Sequence, residues 1–305
     1  MAELTASSGR SARLMVGATY ASVAVAAVLI VGKIAAYLVT DSVAVLSTLI
    51  DSLLDAAASL INLLAVRHAL TPADREHRFG HGKAEALAGL GQSAFIAGSA
   101  VFLIFEASHR LLDVQPVQNS MVGIGVMALA VVLTLPLLHF QRYVVRRTGS
   151  VAIRADAFHY LGDLLVNGSV LISLLLGMEL GWHFLDPIFA IGIAAYIVAS
   201  AWHIARQSLD QLMDRELPDE ARQRIKDIAL AEPGVVALHD LRTRAAGRTQ
   251  FIQFHLEMEP EITLVRAHAI SDAVEVKLLE AFPGAEVIIH EDPAGLAEPR
   301  RSFAR

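Results

Sequence analysis

The chain of 305 residues has no cysteine. It therefore has no disulfide framework and no thiolate for redox chemistry, nucleophilic catalysis or metal binding. Any metal it holds must use imidazole, carboxylate or backbone oxygen. Charge is scarce as well: Asp, Glu, Lys and Arg make up 18% of the residues and the formal net charge is -6. With that balance, aromatics at 6% and no basic stripe interleaved with them, general nucleic-acid binding is excluded. No His-Glu-x-x-His run occurs, so the usual signature of a zinc hydrolase is missing.

Apolar sequence is what the chain has in abundance. Hydrophobic residues reach 54% and the mean hydropathy is +0.50. They cluster in runs of roughly 20 residues or more, the length that crosses about 30 Å of hydrocarbon. Six spans are expected, at 14–39, 43–66, 84–112, 119–144, 151–178 and 184–208. The first follows Arg10 and Arg13 in the manner of a signal peptide but is too long for one. An even number of spans puts both termini on one side of the membrane. Arg67, Arg75, Arg78, Lys83, Arg142, Arg146, Arg147 and Arg154 flank that side, and the opposite connections near 40–41, 113–118 and 179–182 contain no Lys or Arg. Both termini are thus expected in the cytoplasm, with residues 1–13 as a short leading segment and 14–208 as the membrane domain.

After Leu209 the texture becomes that of a soluble domain, over 209–296. Residues 218–231 have helical periodicity with Pro218 near the start, and 235–243 and 249–259 alternate like strands around an Ala-Gly-Arg turn. Residues 263–282 read as a helix and 285–290 as a short strand. The order αββαβ predicts a small two-layer α+β unit, small enough that pairing with a copy of itself would help it. Residues 297–305 read as a disordered basic tail.

Ionisable residues inside the spans stand out against this background, because charge in a membrane is costly and marks an ion or a pathway. Asp51 and Asp55 in the second span, and His159 and Asp163 in the fifth, are two pairs at i and i+4. Each pair lies on one helix face. Turned toward each other, the faces present three carboxylates and one imidazole, a donor set suited to a divalent transition metal, Zn2+ above Mg2+ or Ca2+. Without a cation the carboxylates repel one another, so metal and protons compete for them. Asp156, Asn62 and Asn167 lie near the quartet in sequence. Lys33, Glu106, His109, His139 and His203 sit toward span ends, where snorkelling to the interface is expected.

Two further clusters lie outside the spans. Asp74, His77 and His81 fall at i, i+3 and i+7 in the connection after the second span, where a solvated loop without metal is the competing reading. In the tail, His239, His255, His268 and His290 accompany Asp292, and His290 with Asp292 is an i, i+2 pair on one side of an extended segment.

The segments KIAAYLVTDSVAVLSTLIDSLLD, PADREHRFGHGKAEALA and ADAFHYLGDLLVNG, with the αββαβ tail, resemble the cation diffusion facilitator family, its bacterial zinc and iron efflux branch above all. The resemblance covers nearly the whole chain. It implies a homodimeric metal/proton antiporter of the inner membrane, exporting Zn2+, or Cd2+ or Fe2+, by alternating access, with a ferredoxin-like cytoplasmic domain. It further implies a transport site at Asp51, Asp55, His159 and Asp163 and a loop site at Asp74, His77 and His81. A binuclear tail site falls on His239, His255, His268, His290 and Asp292, and a charge pair tying the dimer together on Lys83 and Asp214. Three other readings stay open: a membrane-embedded metal sensor, a metallohydrolase without transport, and a passive channel.

Overall fold

A computed structural model describes residues 2–41, 43–112, 121–180 and 185–295, and forms two compact units. The expected basic tail at 297–305 lies outside the described residues. Six long helices account for the first unit: α1 (Ala2–Thr40), α2 (Val43–Ala69), α3 (Lys83–Leu112), α4 (Met121–Thr148), α5 (Val151–Leu180) and α6 (Leu185–Leu212). Five of them contain a stretch long and apolar enough to cross a bilayer, at Gly9–Thr40, Thr48–Ala69, Lys83–Phe105, Ile124–Thr148 and Ile188–Leu212. The sixth, α5, has the same length but places Arg154, Asp156, His159 and Asp163 in its first half.

Helix α5 is the packing centre of this unit. Its Ala152 and Ile153 join Met15 and Ala18 of α1, Val66 of α2 and Val144 of α4 in one buried cluster. Ala155 joins Ile96 and Ala100 of α3 and Ile197, Ala201 and Ile204 of α6 in a second. One turn further on, Tyr160 packs on Leu137 and Leu138 of α4. A helix surrounded in this way can turn polar groups inward, whereas the outward faces stay apolar: Leu38, Phe102, Phe105 and Trp202 are all largely exposed.

Local chemistry sets the entry to α5. Gly149, at φ +69, ends α4 with its N–H on Val145 O at 2.8 Å, a left-handed position that suits glycine. Ser150 then caps α5, its hydroxyl accepting from Ile153 N at 3.2 Å. With only two residues between them, α4 and α5 must run antiparallel and side by side.

The second unit keeps the expected αββαβ order: α7 (Asp219–Leu230), β1 (Val235–Ala246), β2 (Thr249–Met258), α8 (Leu264–Ala281) and β3 (Glu286–Pro293). The strand order is β1-β2-β3, with β1 antiparallel and β3 parallel to β2. The parallel pair is joined by a helical crossover through α8. Ile252, Phe254, Leu256 and Met258 alternate along β2 and bury one sheet face against Ile225 and Ala229 of α7 and Ala267, Ile270, Val274 and Leu278 of α8. The intervening residues of β2, including His255 and Glu257, therefore lie on the face away from the helices.

Close approach of three helices in the membrane unit depends on Gly89 of α3. A Cβ there would meet Ser208 Oγ of α6 at 2.7 Å and Val151 Cγ1 of α5 at 3.0 Å. Gly89→Ala is expected to push these helices apart and cost about 1–3 kcal/mol. The cost would be read as a lower melting temperature of the full-length protein in detergent.

Candidate metal centres

In the membrane unit, α2 supplies Asp55 and α5 supplies His159 and Asp163. Their ligand atoms all lie within 4.8 Å of one another. His159 Nε2 is 3.1 Å from Asp55 Oδ1 and 3.5 Å from Asp163 Oδ2, and its side chain is only 6% exposed. Short as the first distance is, Nε2 does not meet the geometry of a hydrogen bond to any group. A buried ring nitrogen set between two carboxylates without a proper proton partner suits a bound cation better than a structural hydrogen bond. Asp51 lies one turn before Asp55 on α2, exposed and outside this tight group. Three of the four residues expected to converge do so here.

The surroundings explain how such a cluster persists among apolar helices. Asn167 Nδ2 donates to Asp163 O at 2.8 Å. Phe95 of α3 and Tyr160 place their rings 5.8 and 5.5 Å from the His159 ring and shield it. One turn before His159, the buried Asp156 carboxylate accepts from Ser22 Oγ of α1 and, at 2.8 Å, from Gln141 Nε2 of α4. The Tyr160 hydroxyl donates to Ser22 O at 3.0 Å. This network fixes α5 against α1 and α4, so Asp156 serves the scaffold while its neighbours face the cluster. Asn62 of α2 is buried with its Nδ2 unpaired.

Lys33 departs from expectation. It does not snorkel outward; its Nζ donates to Thr48 O at 2.8 Å and to Ser52 Oγ at 2.6 Å, both on α2. Ser52 lies next to Asp51, and the Lys33 ammonium acts electrostatically on Asp55, Asp163 and Asp51. The two hydrogen bonds to α2 offset part of the cost of taking the ammonium away from the interface. Reading the spans one at a time misses this contact, because Lys33 and its partners lie on different helices.

The loop after α2 gathers Asp74, His77 and His81 as expected. Asp74 Oδ2 is 3.3 Å from His81 Nε2, and Asp74 Oδ1 is 3.4 Å from His77 Nδ1. Asp74 Oδ1 also accepts from the backbone N–H groups of Glu76 at 2.9 Å and His77 at 2.6 Å. His81 is buried, with Nδ1 3.3 Å from Thr71 O. The His68 ring, in the last turn of α2, packs edge-on at 4.5 Å against His81. No spacing rule points to His68, since a turn in the loop brings it in.

In the tail unit the sheet register aligns His239, His255 and His290 across all three strands: His239 pairs with His255, and His255 with His290. Asp292 ties them together. Its Oδ2 is 2.7 Å from His255 Nδ1 and 3.4 Å from His239 Nε2, and its Oδ1 is 3.1 Å from His290 Nε2. His239, His255 and Asp292 form the tightest metal-ligand group. Glu257, 3.3 Å from His239 Nε2, belongs beside it. Its place two residues after His255 on the same strand is the signal that could have found it. His268 is elsewhere: it lies on α8, its side chain 70% exposed, 3.5 Å from Asp272. Lys83 opens α3, and Asp214, at φ 54, accepts from Arg244 Nη1 at 3.3 Å.

The Asp74 turn carries a pH prediction. Backbone donation from His77, joined by that from Glu76 and by the His77 and His81 rings, holds its carboxyl below the usual carboxylate range. The pKa is depressed on folding, so the turn's stabilisation is present above the ordinary Asp value of about 3.9 and lost as pH falls through the lower folded value. Amide-exchange protection at Glu76 and His77 is expected to survive past that ordinary value, and Asp74→Asn is expected to remove the acid-dependent loss.

Both units match known protein families. Residues 19–213 match the family description "Cation efflux transmembrane domain" and residues 217–294 match "Cation efflux protein, cytoplasmic domain". The chain is 50% identical over 284 residues to the cation-efflux pump FieF of Salmonella choleraesuis (strain SC-B67), covering 93% of this chain and 94% of that one. The same identity and coverage hold for FieF of Salmonella newport (strain SL254). A solved structure of CzrB is 35% identical, covering 26% of this chain and 99% of its own, with a TM-score of 0.25. Five helices apolar enough to cross a bilayer among the described residues, and two matches spanning nearly all of the sequence, establish the chain as a multi-pass membrane transporter of the cation efflux, or cation diffusion facilitator, family.

Proposed function

We propose that the protein is a metal/proton antiporter that exports a divalent cation, Zn2+ first among candidates, from the cytoplasm. The observation that carries this reading is the convergence of Asp55, His159 and Asp163 inside the helical bundle, with a buried His159 Nε2 that lacks a hydrogen-bond partner. Asp51 joins the site from the preceding turn of α2 when metal is bound. Carboxylate and imidazole donors at four-coordination suit Zn2+, with Cd2+ and Fe2+ as competitors.

Charge bookkeeping gives the exchange its form. Two carboxylates 4 Å apart repel by about 4 kcal/mol at an effective dielectric constant near 20, so the site does not stay bare. Three carboxylates and the Lys33 ammonium sum to two negative charges. One dication neutralises that, and so do two protons. Metal entering from the cytoplasm displaces protons; after the helices open the other way, protons displace metal, with His159 and an Asp as carriers. Alternating access, rather than a continuous pore, accounts for ionisable groups gathered at one depth. The metallohydrolase reading lacks its usual His-Glu-x-x-His signature in the sequence.

Both termini face the cytoplasm in this scheme, and the protein works as a homodimer, with Lys83 and Asp214 tying the halves near the membrane surface. The loop cluster of Asp74, His77 and His81 holds metal on the cytoplasmic side. The row of His239, His255 and His290 with Asp292 senses cytosolic metal, and His268 contributes a second ion where two tails meet. Metal held there strengthens the tail dimer and biases the transporter toward its active form.

Proteoliposomes with an internal pH dye test the main reading. Zinc flux is expected to run against an opposite proton flux in the wild type, and Asp51→Ala or Asp163→Ala is expected to reduce it to background while melting behaviour is kept. Metal flux without proton movement would make the protein a channel, and normal flux in either variant would remove the site assignment. For the tail, sedimentation of residues 209–296 is expected to show a tighter dimer with zinc, and His255→Ala to abolish that gain. An unchanged dimer constant on adding zinc would end the sensing role.

A further inference from the structure

A cavity of about 420 Å3 opens where α4 ends, α5 begins and α6 approaches its last turns. Arg142 and Arg146 reach it from α4, Arg154 from α5 and His203 from α6. Its other walls are apolar or aromatic, with Phe158 and Leu161 from α5 and Tyr196 from α6. None of the described residues lining it is acidic. Arg142 and Arg146 are one turn apart on a single face of α4. Arg154 is held in place across the groove, its Nη1 donating to Gln207 Oε1 of α6 at 3.1 Å.

The cavity is polar at one end and apolar at the other. From Arg154 to Leu161 along α5, and from His203 back to Tyr196 along α6, the axial rise is about 10 Å. Both walls thus pass from a basic residue to an apolar or aromatic one over the same depth, and Arg142, Arg146 and His203 lie in the later half of the apolar stretches Ile124–Thr148 and Ile188–Leu212. A small anion alone does not suit such a space: the volume is many times the roughly 30 Å3 that a single water takes up in the liquid, and the apolar end would remain wet. A phosphate joined to an acyl chain satisfies both ends. Arginines at membrane interfaces commonly do no more than meet water and lipid headgroups in passing. Convergence from three helices on one cavity, with one guanidinium pinned, distinguishes this set.

We propose that this groove binds an anionic phospholipid, its phosphate among Arg142, Arg146 and Arg154 and its first acyl methylenes along Phe158, Leu161 and Tyr196. Basic pockets between membrane helices recognise such headgroups through charge and guanidinium hydrogen bonds. The seated lipid bridges α4, α5 and α6. Phe158 and Leu161 alternate along α5 with His159 and Asp163, so the lipid braces the helix that carries two of the three converging metal ligands.

Native mass spectrometry of the full-length protein in a neutral detergent tests the assignment. The probes are phosphatidylglycerol, phosphatidylcholine with the same chains, and inorganic phosphate. Phosphatidylglycerol is expected to be retained one per chain in preference to phosphatidylcholine. Arg142→Gln with Arg146→Gln is expected to weaken it by roughly 25-fold, about fivefold for each guanidinium. Both arginines are exposed at a helix end, so the variant is expected to fold, and an unchanged melting temperature in detergent checks that. Equal retention of phosphatidylcholine, or undiminished phosphatidylglycerol binding by the double variant, overturns the site. Displacement of the lipid by millimolar inorganic phosphate overturns the lipid in favour of a soluble anion.

Discussion

The arrangement of the membrane unit follows from the cost of placing charge among apolar helices. Asp55, His159 and Asp163 are tolerable only because they face one another and Lys33 turns toward them. That requirement dictates which helix is central. Helix α5 carries two of the three converging residues, and its first three turns are packed against α1, α2, α3, α4 and α6. The buried carboxylate of Asp156 adds a second fixed point one turn away, satisfied by Ser22 and Gln141. Packing and polarity thus solve one problem together: the apolar contacts hold α5 in place, and the polar contacts set its rotation.

Much of this was legible in the sequence, and the parts that were not share a cause. Helix number, the αββαβ order and the pairs at i and i+4 are local patterns and survive in the structure, although α1 begins at Ala2, within the expected leading segment 1–13. Contacts between elements are not local. The inward turn of Lys33, the packing of His68 on His81 and the separation of His268 from the other tail histidines all depend on which faces meet. A lysine near the end of an apolar run looks like a snorkelling residue until the carboxylates on the neighbouring helix are known. Asp51 lies between the two cases, since its spacing from Asp55 is local but its distance from α5 depends on how the helices pack.

The tail unit handles polar residues differently. Its core is confined to one face of the sheet, where Ile252, Phe254, Leu256 and Met258 meet α7 and α8. On the other face the imidazoles and the Asp292 carboxylate meet. His255 and His290 keep contact with solvent there, whereas His239, Glu257 and Asp292 are largely covered and compensate one another through their ion pairs.

The alignment of His239, His255 and His290 in one rung of the sheet makes the cluster a readout of strand register. A slip of one residue between any two strands would turn an imidazole to the helix-packed face and break the rung. An unfolded tail, or one paired out of register, presents no such row. A cation bound at the rung would favour the correctly paired chain over every other, and would so couple metal binding to the folding of this domain.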